Sequence, residues 1–219
     1  NDPKITGIEM SGDYHPSVDW EKRGGSIAKN THLKYLYVEG ELPDPDIYGD
    51  NNVARRNAEA LYRAIAANRS ISRLHIYGSY LDVGTLKILL PFFRHNRNII
   101  RNFEVIDFDM NSTRINQLLI SALSSCNKKA LRHVGLGCNY GEVDGDSASK
   151  LIDEVAAHRN LESLKMSISG NGNRWCAALA NLLQNPMSNL TDLNLECAGI
   201  RDDGLVVLGS VLANNTLLK

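Results

Sequence analysis

A hydrophobic triplet, with members at relative positions one, four and six, recurs seven times along the chain. The copies are Ile5/Ile8/Met10, Leu33/Leu36/Val38, Ile71/Leu74/Ile76, Ile100/Phe103/Val105, Leu131/Val134/Leu136, Leu161/Leu164/Met166 and Leu190/Leu193/Leu195. The last two members alternate with polar neighbours, which is the period-two pattern of a half-buried strand. Apolar residues at helical spacing follow each copy. In the last copy Ile200 turns the chain inward and Asp202 stands where a helix cap is expected. Leu205, Leu208 and Leu212 then form the expected core stripe, and Asn214-Asn215 ends the helix. Equivalent helices are expected over 51–68, 83–96, 113–125, 147–158 and 173–185, with a weak one over 17–30 where Gly24-Gly25 interrupts.

First positions of the triplet are separated by 28, 38, 29, 31, 30, 29 and 27 residues, the last step leading to an eighth copy at Leu217. A period of this length marks a solenoid, in which each unit buries its apolar face only against its neighbours. The expected fold is therefore an α/β solenoid of about seven units, one domain over 1–219. Such arrays need polar caps, yet Leu217-Leu218-Lys219 begins another strand, so the domain is expected to be part of a longer repeat protein.

Charge narrows the possible partners. A formal net charge of -1 lacks the basic footprint that nucleic-acid binding needs. No apolar run approaches the roughly 18–20 residues of a membrane span, and no signal-peptide pattern is present. Cys138 and Cys197 hold the same place two units apart, a separation near 10 Å at a strand spacing of about 4.8 Å, too far for a disulfide. Cys126 and Cys176 fall on helices, also two units apart. Free thiols point to an intracellular, cytoplasmic setting. Four Asn-x-Ser/Thr sequons, at Asn68, Asn111, Asn189 and Asn214, point the other way. Three of them sit just before a strand, where polar turn residues recur anyway.

The last unit, Leu190-Thr-Asp-Leu193-Asn-Leu195 through Ile200, Asp202, Gly204, Leu208 and Leu212, resembles the leucine-rich repeat family, in particular its ribonuclease-inhibitor-like (RNI-like) subclass. The resemblance is looser in the other units and covers residues 5–219. It implies a horseshoe with a parallel sheet on the concave face, helices on the convex face and a protein ligand. The family's ninth position is usually Asn or Cys, which ties adjacent turns. Here it is Asp13, Glu41, Ser79, Phe108, Asn139, Ser169 and Ala198, so a weakened turn ladder is expected.

Alternation places the residues between triplet members on the open face of the sheet. In the second to fifth units these include Lys34, Ser72, Arg101, Arg132 and Ile106. Tyr, Arg and His concentrate there, types enriched at interface hot spots. The candidate partner-binding set is Tyr35, Tyr37, Arg73, His75, Tyr77, Asn102, Glu104 and His133. A plain strand preference of Tyr accounts for the aromatic members equally well. Turns entering the strands are basic (Arg69, Arg94, Arg97, Lys128, Lys129, Arg159) and those leaving them acidic, a pattern that complements the helix dipoles. The second unit is longer by a Pro-stiffened segment, 41–52, whose Asp44, Asp46 and Asp50 fall short of a calcium loop because Arg55 stands where the bidentate Glu belongs.

No catalytic, cofactor-binding or metal-ligating set emerges. The histidines are scattered, no nucleophile elbow, P-loop or zinc spacing occurs, and Gly170-Asn-Gly172-Asn lacks the lysine of a phosphate loop. Trp20, Trp175, Phe92 and Phe93 read as core residues on the helix side. The expected function is a non-enzymatic protein-interaction scaffold, with no cofactor. Two other classes stay open: a regulator of a small GTPase, which rests on fold analogy alone, and a structural subunit of a larger assembly.

Overall fold

The computed structural model describes residues 4–11, 19–40, 52–78, 81–106, 112–143, 145–170 and 172–219; for 138–143, 168–170, 172 and 173 it describes the backbone only. Among these residues seven strands alternate with seven helices: β1 Gly7–Met10, α1 Trp20–Lys29, β2 Tyr35–Glu39, α2 Asn52–Ala67, β3 Arg73–Tyr77, α3 Val83–His95, β4 Asn102–Ile106, α4 Thr113–Ser125, β5 His133–Val143, α5 Gly145–Ala156, β6 Ser163–Gly170, α6 Gly172–Gln184, β7 Asp192–Asn194 and α7 Asp202–Leu212. The strands form one parallel sheet in chain order, and each helix packs on the next. The chain is an α/β solenoid consistent with leucine-rich repeats. Helices about 10 Å wide stacked one per strand, against strands about 4.8 Å apart, bend the slab with the sheet inside.

The triplets stack as the period requires. Ile8, Leu36, Leu74, Phe103, Val134, Leu164 and Leu193 are register partners across the whole sheet, and Met10, Val38, Ile76, Val105, Leu136 and Met166 form the next row. The ladder begins before the strands. Lys34 N donates to Thr6 O, Ser72 N to Lys34 O, Arg101 N to Ser72 O, Arg132 N to Arg101 O, Glu162 N to Arg132 O and Thr191 N to Glu162 O, at 2.7–2.9 Å. Leu33, Ile71, Ile100, Leu131, Leu161 and Leu190 are buried, whereas Ile5 and Leu217, with a neighbour on one side only, are exposed. Trp20, Phe92, Phe93 and Trp175 fill the helix side of the core, where the Phe93 and Phe103 rings meet edge to face at 4.8 Å.

Two helix expectations need correction. The weak helix at 17–30 is a regular one from Trp20 to Lys29. A Cβ at Gly24 would sit 3.1 Å from Ala64 Cβ, so the missing side chain lets α1 and α2 approach closely, and packing outweighs propensity. In α7, Asp202 is already inside the first turn and Arg201 precedes the helix without a side-chain cap. Leu205 and Leu212 are exposed, and the buried face is Gly204, Leu208 and Val211.

A tie between turns is present at the edge where the strands are entered. Asn68 Nδ2 donates to Ile27 O and Asn30 O at 2.8 Å, while its Oδ1 accepts from Ser70 N and Ile71 N. Ser70 Oγ donates to Asn30 O and Leu33 O, Asn96 Nδ2 to Asn68 O and Asn215 Nδ2 to Leu183 O. At the opposite edge, of the seven expected tying positions only Ala198, buried and apolar, has a described side chain. The sequons gain a structural role, because Asn68 and Ser70 are both buried and bonded, and Asn189 Nδ2 donates to Arg159 O; Asn111 lies outside the described residues. Cys126, Cys176 and Cys197 are free thiols. Burial pushes the Cys126 thiol up to about 12, so it stays protonated and unreactive. Among the described residues no helix is long and apolar enough to cross a membrane.

Candidate partner-binding face

Parallel pairing without slippage puts the eight candidate residues on one face in straight rows. Tyr35, Arg73, Asn102 and His133 are successive register partners, continuing to Ser163 and Asp192. Tyr37, His75 and Glu104 form the second row, which runs on through Gly135 and Lys165 to Asn194. Tyr77 pairs with Glu39 and Ile106 in the third.

The two halves of this face differ. On β2 and β3 the Arg73 guanidinium lies 5.2 Å from the centre of the Tyr35 ring, and His75 meets the same ring edge to face at 5.6 Å. Tyr35 is thereby held between a cation and an imidazole, in a favourable cation–π arrangement. The hydroxyls of Tyr35 and Tyr37 are held above their ordinary range, chiefly by desolvation and then by Glu9 and Glu39 respectively, and so remain protonated donors.

On β4 to β7 the face is hollow. Gly135 has no side chain, and a Cβ there would fall 2.5 Å from Glu104 Cγ. The Glu104 side chain lies across this gap, with Oε1 at 3.2 Å from Lys165 Nζ and Oε2 at 3.4 Å from His75 Nδ1. A hollow of about 260 Å³ opens beside it, lined among others by Asn102, His133, Ser163, Lys165 and Asp192. Burial depresses the His75 pKa more than Glu104 raises it, and Arg73, His133 and Lys165 push it further down. His75 is therefore neutral at pH 7 and can donate from Nδ1 to the Glu104 carboxylate.

Sequence reasoning put Gly135 on the open face by alternation but missed Lys165, whose signal was the register row it shares with Glu104 and Gly135. Ile106, expected to face solvent, is 7% exposed. It lies over Gly137, where a Cβ would come within 2.8 Å of its Cδ1. The 41–51 segment lies outside the described residues. Among the described residues no group of three His, Cys, Asp or Glu side chains could hold a metal ion.

No family model matches the sequence. Similarity extends to "NACHT, LRR and PYD domains-containing protein 14" of Homo sapiens, 27% identical over 157 residues, which covers 70% of this chain and 14% of the relative. The Mus musculus protein of the same name is 24% identical over 185 residues, covering 72% of this chain and 18% of the relative. The chain thus spans less than a fifth of the length of these relatives. Both are named for leucine-rich repeats among their domains. Distant likeness to them, joined to the parallel sheet with alternating helices, suggests a protein-interaction repeat fold.

Proposed function

We propose that the chain is a non-enzymatic interaction scaffold that holds a protein partner on the open face of its sheet. The observation that supports this most is the alignment of Tyr35, Tyr37, Arg73, His75 and Tyr77 beside the Glu104 hollow. Rigid aromatic rings next to a cation supply contact area at low entropic cost, and a hollow with fixed polar walls can accept a projecting side chain.

The test is affinity capture with mass spectrometry on the native chain and on the Tyr37→Ala/Arg73→Ala/Tyr77→Ala variant side by side. Proteins held by the native chain should be lost from the variant while its unfolding midpoint stays unchanged. A loss of several kcal/mol, less than additive, is expected in titration with the purified partner. An identical set of captured proteins on both chains rules the reading out.

A further inference from the structure

The edge through which the strands are entered carries a row of cations that the sheet face does not use. Arg69, Arg97, Lys129 and Arg159 occupy four consecutive turns, one to each, and all four are exposed. Side-chain and backbone hydrogen bonds lock these turns together. Asn96 Nδ2 donates to Asn68 O at 2.8 Å, Asn127 N to Arg97 O at 3.0 Å, Arg159 N to Lys128 O at 2.9 Å and Asn160 Nδ2 to Lys129 O at 2.8 Å. The four turns therefore follow one another rung by rung along the edge, each leading into strands about 4.8 Å apart. The nearby carboxylates are already engaged, Glu154 with Lys128 and Glu162 with Arg132. Among the described residues the four cations form no ion pair, so like charges are stacked in adjacent rungs without neutralisation, which is repulsive.

Compensation of helix dipoles is the ordinary cause of such a pattern, and it acts within the last turn. Only α1, through Lys29, and α3, through Arg94 and His95, carry a basic residue there; α2, α4, α5, α6 and α7 have none. The row lies beyond the helix ends, in the turns, and follows the rungs.

We propose that this turn ladder is a docking edge for an extended acidic protein segment, with Arg69, Arg97, Lys129 and Arg159 each meeting a carboxylate. Same-side residues of an extended chain repeat at about 6.8 Å, and long Arg and Lys side chains absorb the difference from the rung spacing. A single-stranded nucleic acid would need exposed aromatic platforms for its bases, and the one aromatic ring in these turns, His158, is buried. An anionic membrane would call for large exposed apolar residues beside the cations, and the four turns offer only half-buried Ile99 and the small Ala157. The edge is independent of the open face, so each can fail without the other.

Fluorescence anisotropy with a fluorescein-labelled alternating Glu-Ser peptide tests this. At about 50 mM salt the native chain should bind saturably and release the peptide as salt rises. The Arg69→Gln/Arg97→Gln/Arg159→Gln variant should bind about tenfold more weakly or worse, with Tm unchanged or higher because repulsion is relieved. The Arg56→Gln/Lys87→Gln/Arg114→Gln variant, which removes as much charge from exposed helix positions, should bind like the native chain. So should the Tyr37→Ala/Arg73→Ala/Tyr77→Ala variant. Absence of saturable binding by the native chain, or equal binding by the edge variant, would overturn the proposal. A fall of several degrees in the edge variant's Tm would return the row to helix compensation. Tighter binding of oligothymidylate or of phosphatidylserine vesicles would also overturn it.

Discussion

His158 stands three residues before its triplet, the position held by Asn30 and Asn68 in earlier units. Asn68 satisfies that rung with an amide; His158 puts an imidazole there, only 2% exposed. Its ring faces Lys128, Glu154 and the backbone at Leu123 and Asn127, yet neither nitrogen completes a hydrogen bond. Burial first, and Lys128 next, press its pKa from 6.5 down to about 4. Above pH 6.5 the ring is neutral folded or unfolded, so no term arises. As pH falls from 6.5 toward 4 the unfolded chain takes up the proton first, and stability is lost. Between pH 7 and 5 this residue alone should remove about 2 kcal/mol. Urea unfolding of the native chain and of His158→Asn at both pH values reads this directly. The native chain should lose more stability on acidification by about that amount; parallel losses in both chains would show that His158 is not the titrating group. The sequence placed a polar residue in this turn, but its burial follows only from the stacking of three units.

The helices show where an apolar pattern becomes ambiguous. In α2 and α6 apolar and polar residues divide cleanly, and the sequence placed both within two residues of their observed ends. In α7, Leu205, Val206, Val207, Leu208, Val211 and Leu212 cover most of the circumference, so spacing alone could not select the inward stripe. Packing on α6 selects Leu208 and Val211, leaving Leu205 at 56% and Val206 at 73% exposure. The two faces should respond differently to substitution. Leu208→Ala is expected to cost about 2–5 kcal/mol through lost contact and a residual cavity. Val206→Glu should stay within about 0.5 kcal/mol of the native chain. Denaturant midpoints of the two variants measure the contrast, and comparable losses would mean that both faces of α7 are packed.

At the scale of the whole molecule, one periodic signal determined most of the architecture. A parallel ladder that keeps its register from β1 to β7 up to Cys138, where β5 and β6 shift, carries each residue to a known row, so membership of the open face could be read from position. Contacts within that face could not. Glu104 reaches Lys165, 61 residues away, only because Gly135 between them leaves the floor empty. Ile106 is covered for the same reason at Gly137. Whether a glycine in a strand weakens it or makes room depends on its neighbours two units apart, which no local pattern encodes. The same nearest-neighbour logic governs stability. A core residue in an inner unit is enclosed by two neighbours, and one at the sheet edge by a single neighbour. Leu74 is fully buried in β3, between β2 and β4, while its row partner Leu193 in β7 is only partly buried. Leu74→Ala should therefore cost about 3–5 kcal/mol and Leu193→Ala roughly half as much. Both are removals of the same side chain from the same row, so urea unfolding isolates the number of enclosing units as the variable. Equal costs would mean that β7 is packed from both sides in solution.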